Sequence, residues 1–105
     1  LTQQKLVDMG ARIVNGHLLS KHLADRKDAG TLTPIQVSLA KRENVGLALD
    51  IARLSRGILG GNGIMAEYPI MRHAANLESV YTYEGTHEVH TLAIGRALTG
   101  QSAFD

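Results

Sequence analysis

The sequence contains no cysteine, no long apolar run and almost no imbalance of charge. Without cysteine, disulfides and thiol chemistry are excluded, which fits a reducing compartment. Because no stretch of about 20 apolar residues occurs, we expect no membrane span, and no basic-then-apolar leader indicates a signal peptide. A formal net charge of +1 provides no field for nucleic acid or an anionic membrane.

Aromatic residues are also scarce, at 4 % of 105 residues. That is thin for a self-sufficient core, although a hydrophobic content of 44 % and a charged content of 20 % are ordinary for a globular protein. The length allows one domain at most. The scarcity of aromatics, together with a first residue other than Met, predicts that the chain is a piece of a larger protein.

Two long helices are predicted in the first half of the chain. Apolar residues recur at helical spacing over residues 3–27, and Gly30 provides a C-terminal stop. Thr33-Pro34 then supplies an N-cap followed by proline at the first helical position. Gly10 and Gly16 disfavour a helix, so we expect them to mark close contacts between helices.

Two shorter helices are predicted in the second half, over about 69–79 and about 86–98. Thr86 is the expected N-cap of the last helix and Gly100 its stop. With no convincing strand, the predicted fold class is all-α, most simply an antiparallel up-down four-helix bundle. The residues of the last helix expected to face inward are Val89, Leu92 and Ala93.

The segment 45–54 in the second helix is apolar on nearly every side. A helix that is apolar all round is buried all round. In so short a chain this predicts neighbours that belong to another domain or another subunit.

The densest glycine segment is 56–63, and Gly61-Asn62-Gly63-Ile64-Met65-Ala66 fits the dinucleotide pattern G-x-G-x-x-A. That fingerprint requires a strand before the glycines, whereas a helix precedes them here, so we reject it. No Lys-Ser or Lys-Thr pair supports a P-loop either. Two interpretations remain: a plain helix-terminating turn, or a bare backbone that a planar or phosphorylated ligand approaches closely.

A lone carboxylate, Glu84, lies just ahead of the last helix, between Tyr83 and Gly85. It is either a catalytic carboxylate or only a favourable charge at a helix N-terminus, and the residues alone leave both open. The following His87-Glu88-Val89-His90 is not the H-E-x-x-H zinc motif, because its histidines lack the i, i+4 spacing. We therefore predict no metal site.

Five short motifs in the second half resemble, in their order and spacing, the C-terminal helical domain of the acyl-CoA dehydrogenases. Among family members the similarity is greatest to those that act on glutaryl-CoA. Each motif is weak alone, but the set is specific and the resemblance covers essentially the whole chain. The motifs are Leu59-Gly60-Gly61-Asn62-Gly63, Glu67-Tyr68-Pro69, Arg72-His73-Ala74-Ala75-Asn76-Leu77-Glu78, Thr82-Tyr83-Glu84-Gly85-Thr86-His87 and Gly95-Arg96-Ala97-Leu98-Thr99-Gly100.

The resemblance implies that residues 1–105 are the last of three domains of an FAD-dependent homotetramer, inactive as an isolated piece. It implies an acyl-CoA substrate, glutaryl-CoA, which is oxidised and decarboxylated to crotonyl-CoA, with electron-transfer flavoprotein as the electron acceptor. The expected location is the cytoplasm of a bacterium or the mitochondrial matrix of a eukaryote.

The resemblance also implies roles for single residues. Glu84 matches the family's catalytic base, and its backbone amide matches a donor to the thioester oxygen. Gly85 and Tyr83 are expected at the substrate. Gly57 is a departure, because many relatives have a polar residue there that contacts the cofactor. The residues expected to contact FAD are Thr86, Glu88 and Phe104 and, against the FAD of a neighbouring subunit, Gly57, Ile58, Leu59, Gly60 and Gly61.

Three other functions are alternatives to this one. The first is an acyl-CoA dehydrogenase of different chain specificity, and the second is a helical oligomerisation bundle without chemistry, which the apolar second helix supports. The third, a small helix-turn-helix DNA-binding protein, is disfavoured because basic residues are spread along the chain and balanced by acids.

Overall fold

The computed structural model describes residues 1–104, and within them all regular structure is helical. The elements are α1 (Thr2–Asp28), α2 (Pro34–Ile58), a 3₁₀ helix (Gly60–Ile64), α3 (Ile70–Thr82) and α4 (His87–Thr99). The all-α class and the four helices are confirmed. No helix in this part of the chain is long and apolar enough to cross a membrane.

The helix ends follow from local side-chain chemistry. The Gln36 backbone N–H donates to Thr33 Oγ1 over 3.4 Å, and the Thr33 N–H donates to the Gln36 side chain over 2.9 Å. This reciprocal pair satisfies two backbone donors at the start of α2. Gly30 and Gly100 have φ values of 69° and 75°, the left-handed conformation that ends helices. The predicted caps and stops are confirmed.

The second helix, α2, is the element against which α1, α3, α4 and the 3₁₀ helix all pack. It runs antiparallel to α1, because Arg12 pairs with Asp50 at 2.8 Å while Asn44, earlier in α2, donates to the later Gly16 carbonyl at 3.3 Å. A Cβ at Gly16 would lie 2.9 Å from Leu47 Cδ2. Gly16 therefore marks a close helix contact as predicted, whereas nothing lies within 4 Å at Gly10.

The helices α3 and α4 lie one after the other along α2. Arg53, near the end of α2, pairs with Glu78 of α3 at 3.7 Å, whereas Arg42, near its start, donates to Thr91 of α4 at 2.8 Å. The start of α3 lies near the end of α2 and its end lies near the middle of α2, and α4 follows in the same sense. Both short helices therefore run antiparallel to α2 and in the same general direction as each other, so the predicted up-down alternation does not extend to α4. The loop between them is held against the side of α2.

The core of this chain is small. Among the hydrophobic residues of 1–104, only Met9, Ala40, Leu49 and Ala52 are buried. The radius of gyration is 16.3 Å, compared with about 13 Å for a compact domain of this length. Most of the apolar segment 45–54 is only half-buried. The complete burial predicted for α2 is thus not reached within the chain, and neighbours beyond it remain a prediction.

The inward face of α4 differs from the predicted one. Of the three residues predicted to face inward, Ala93 is half-buried, but Val89 is 49 % exposed and Leu92 is 38 % exposed. His87, His90 and Ile94 are half-buried as well. The spacing of these three residues places them on one face of a helix. The prediction for Val89 and Leu92 was wrong because it ranked apolar residues above histidine rings as packing groups.

Replacement of Gly63 is expected to destabilise the protein. A Cβ at this position would lie 2.3 Å from the backbone oxygen of Arg56, and backbone atoms cannot move aside as the end of a flexible side chain can. We expect Gly63→Ala to lower stability by about 1–3 kcal/mol, the usual penalty for overpacking, seen as a lower melting temperature of the protein. Gly10→Ala, where nothing lies within 4 Å, is the control. Equal melting temperatures for the two variants would contradict the close packing.

Candidate active site

The loop between α3 and α4 contains two consecutive residues in the left-handed region. Glu84 has φ 53° and Gly85 has φ 89°. Positive φ is rare for residues other than glycine and costs about 1–3 kcal/mol, so it persists only where surrounding contacts impose it. Within residues 1–104, Glu84 is the only non-glycine residue with positive φ. The candidate carboxylate therefore sits at a strained position.

Three successive carbonyl groups in this loop are held by side chains from two different helices. The ammonium group of Lys41, in α2, donates to the Tyr83 oxygen at 2.9 Å and also to the Gly85 oxygen. Nε2 of His90, in α4, lies 3.2 Å from the Glu84 oxygen. Because a carbonyl can only accept, Nε2 of His90 is the donor in this contact. Lys41 and His90 thus impose the strained conformation.

Gly85 leaves room that His90 occupies. A Cβ at Gly85 would lie 2.7 Å from His90 Nε2 and 3.0 Å from Cε1. The positive φ and this close approach both require glycine. The backbone conformation and the packing against α4 therefore both exclude a side chain at position 85.

The helix-terminus alternative for Glu84 receives little support. The N-cap of α4 is Thr86, whose side chain accepts from the Val89 N–H at 3.2 Å, and the acid in its first turn is Glu88. Glu84 lies two residues ahead of the cap and is exposed. Within residues 1–104 its carboxylate makes no hydrogen bond or ion pair, so Glu88 is the residue placed to stabilise the helix dipole.

The backbone N–H of Glu84 is also uncommitted. The hydrogen bonds of residues 1–104 account for the Tyr83 N–H, which donates to the Ser79 oxygen at 2.9 Å, but include none from Glu84 N–H. Tyr83 itself is 55 % exposed. The loop therefore presents a free carboxylate, a free amide donor and an exposed aromatic ring. Its backbone is held in place by Lys41 and His90.

The two histidines of His87-Glu88-Val89-His90 make separate contacts. The His87 ring stacks on Tyr81 with centroids 4.6 Å apart and planes at 11°, while His90 contacts Glu84. No group of three or more His, Cys, Asp or Glu side chains placed to hold a metal occurs among residues 1–104.

The glycine segment 57–61 lies at the other end of α3 from Glu84. Pro69 and Ile70, at the start of α3, line a cavity together with Ile58 and Leu59, and the 13 residues of α3 span about 20 Å. The glycine segment thus lies apart from Thr86 and Glu88, and Phe104 lies beyond the far end of α4. Within this chain they do not converge on one site.

The glycine segment nevertheless presents bare backbone. Gly57, Gly60 and Gly61 are exposed, and a Cβ at any of them would meet nothing within 4 Å. Gly57 and Gly61 have no positive φ, so neither conformation nor packing within residues 1–104 explains them. Phe104, near the chain end, is 77 % exposed.

Sequence reasoning missed Lys41 and His90. The hydrogen bonds of Lys41 join residues 42 and 44 positions apart, and no periodicity or spacing connects residues so distant. For His90 a signal existed. A glycine followed by a histidine one helical turn inside the next helix allows a close contact, but many sequences share this pattern.

The chain is similar to known proteins over nearly its whole length. Residues 1–99 match the family model described as "Acyl-CoA dehydrogenase, C-terminal domain". A short-chain specific acyl-CoA dehydrogenase of Megasphaera elsdenii is 33 % identical over 94 residues, which are 90 % of this chain and 24 % of that protein.

Two solved structures of glutaryl-CoA dehydrogenase from Mycobacterium smegmatis are similar over 98 % of this chain and 27 % of theirs. One has a TM-score of 0.94 at 60 % identity. The other, in complex with FADH2, has a TM-score of 0.93 at 53 % identity. The chain thus spans about a quarter of the length of these proteins.

Proposed function

The chain belongs to the acyl-CoA dehydrogenase family as its C-terminal domain, and from this premise we propose that the full-length protein is an FAD-dependent acyl-CoA dehydrogenase with Glu84 as its catalytic base. The observation that carries the proposal is the strained, pinned loop that presents an unpaired carboxylate. A purely structural helical bundle has no need of such a loop, so this alternative is disfavoured.

In the proposed reaction the Glu84 carboxylate removes a proton from the carbon α to the acyl-CoA thioester. Its lack of an ion pair within residues 1–104 leaves both oxygens available to accept that proton. Exclusion of water by substrate strengthens the electrostatic interactions of such a base. Gly85 leaves space for the thioester, and Tyr83 forms part of the pocket wall.

The Glu84 backbone N–H is proposed to donate to the thioester oxygen. Proton removal moves negative charge onto that oxygen, and a fixed amide donor stabilises the charge as it develops. The base and the oxyanion donor then belong to one residue. Their relative geometry is fixed by the pinned conformation of Glu84.

The residues present fit FAD as a second component of the site. Gly57 and Gly61 carry no side chain although nothing in residues 1–104 requires this, which suits close approach of an external group to the backbone. Ile58, Leu59 and Gly60 complete this contact, Thr86 and Glu88 form a second, and Phe104, beyond the other end of α4, forms a third. The chemistry that FAD supplies when bound is acceptance of the hydride from the β carbon.

The distance between the glycine segment and the loop favours an assembly. A loop at one end of α3 and a glycine segment at the other make separate contacts, and we assign the glycine segment to the flavin of a neighbouring subunit. A homotetramer would also cover the apolar residues that this chain leaves exposed, among them Leu6, Val14, Leu18 and Leu98. The isolated chain, with neither partner nor other domains, is then inactive.

We propose glutaryl-CoA as the substrate, supported by the high identity to the M. smegmatis enzyme. Loss of the α proton and the β hydride gives an unsaturated thioester that still carries the distal carboxylate. Carbon dioxide then leaves, and the acid form of Glu84 gives a proton to the γ carbon, from which the carbon dioxide departed. The products are crotonyl-CoA and carbon dioxide, and electron-transfer flavoprotein is the proposed acceptor of the electrons.

Glutaryl-CoA and butyryl-CoA distinguish this substrate from that of a short-chain enzyme. We expect the full-length enzyme, which should show the yellow flavin spectrum, to have the higher kcat/KM for glutaryl-CoA and to release one carbon dioxide per crotonyl-CoA. A preference for butyryl-CoA would leave the family assignment intact and refute the substrate. A colourless protein that cannot be reconstituted with FAD would refute the proposed function itself.

A further inference from the structure

Lys41 contacts the loop between α3 and α4 that contains Glu84. It lies 42 and 44 positions before the two residues to which it donates. It is half-buried in α2 and donates to the carbonyl groups on both sides of Glu84. No carboxylate pairs with it within residues 1–104. Its ammonium charge is therefore directed at the backbone of the loop.

The Tyr83 carbonyl and the Glu84 N–H belong to the same peptide group. No peptide bond among the described residues is cis, and in a trans peptide the C=O and the N–H point in opposite directions. A carbonyl drawn toward Lys41 at 2.9 Å therefore directs the Glu84 N–H away from α2. That is the amide proposed to bind the thioester oxygen.

A charged donor on the carbonyl also strengthens the N–H as a donor. Charge-assisted hydrogen bonds are roughly twice as strong as neutral ones, and linked hydrogen bonds polarise one another by about 10–30 % per bond. The Lys41 charge thus acts through the peptide group toward the side where negative charge develops.

We propose that Lys41 is a positioning residue that orients and polarises the Tyr83–Glu84 peptide, so that the Glu84 N–H is a fixed donor to the thioester oxygen. This inference rests on the proposed role of Glu84. His90 has a separate part, since it holds the next carbonyl along the chain. Lys41 acts on the stabilisation of charge rather than on proton removal.

The test compares Lys41→Met with wild type in the full-length FAD-bound enzyme. Loss of an oxyanion donor costs about 10²–10³ in kcat, and loss of its orientation alone is expected to cost roughly tenfold, with KM changed less than about threefold. The infrared stretch of the thioester carbonyl in bound crotonyl-CoA, labelled with ¹³C at that carbon, should shift toward its frequency in free solution. Lys41→Arg, which retains the charge, should recover part of both effects.

The control is Lys21→Met, which removes an exposed lysine paired only with Asp25 at 2.7 Å and should leave kcat and the carbonyl band unchanged. A wild-type band and kcat in Lys41→Met would overturn the proposal, as would a loss of melting temperature alone. If Lys41→Met does not fold, Lys41→Gln carries the same test with a neutral donor. Since the band is read without turnover, it remains informative even if another residue proves to be the base.

Discussion

Glu84→Gln in the full-length enzyme is expected to reduce the rate of flavin reduction by about 10²- to 10⁴-fold, the range in which a positioned general base contributes. The substitution keeps the size of the side chain and removes its ability to accept the α proton. Glutamine faces the same positive φ as glutamate, so the strain in the loop is unchanged. FAD content should be normal because the proposed flavin contacts are other residues.

The measurement is anaerobic single-turnover bleaching of the flavin, with glutaryl-CoA protonated or deuterated at the α carbon. A primary isotope effect in wild type reports that removal of the α proton limits the step. Glu67→Gln is the matched control, because Glu67 is exposed and has no proposed role. Near-normal bleaching in Glu84→Gln would remove Glu84 from the role of base.

Local chemistry made the helix boundaries predictable. Caps and stops act within one turn of the chain, so the neighbouring residues alone determine where these helices begin and end. The caps are Thr33 and Thr86, and the stops are Gly30 and Gly100. The predicted end of α3, Ser79, is three residues short of the observed end, Thr82. The residues beyond Ser79 are β-branched or aromatic and have lower helix propensity, yet packing against the rest of the chain keeps Val80 and Tyr81 half-buried.

The candidate site was predictable only in part, because the residues proposed to react and the residues that hold them in place come from different parts of the chain. Glu84, Gly85 and Thr86 are adjacent in sequence, and an ordered set of motifs identified them by resemblance. The groups that hold them come from α2 and from further along α4. Lys41 carries no local signature that separates it from an ordinary surface cation, so only the packing of α2 against the loop reveals it.

The position of the glycine segment was predictable only through the resemblance. The resemblance assigns this segment to the FAD of a neighbouring subunit, and helix length places the segment and Thr86 at opposite ends of α3. Sequence order alone does not distinguish a site within one copy from one shared between copies. The separation along α3 supports the proposal that neighbouring subunits share their flavin sites.

Gly85→Ala is expected to lower kcat/KM by about 10- to 100-fold, since a displacement of about 1 Å in a catalytic group can cost on the order of 10²-fold. Two effects act together. Alanine at φ 89° is strained, and its Cβ would lie 2.7 Å from His90 Nε2. Because His90 holds the Glu84 carbonyl, its displacement moves the base and the amide donor at once.

Two further variants separate strain from contact. Gly30→Ala has the same kind of strain, with φ 69° and nothing within 4 Å, and lies outside the candidate site. It should lower the melting temperature without changing kcat. Gly85→Ala placed in a His90→Ala background should cost less than it does in wild type, because the colliding ring is gone. Equal costs in the two backgrounds would mean that strain alone displaces Glu84, and that His90 does not restrict residue 85 to glycine.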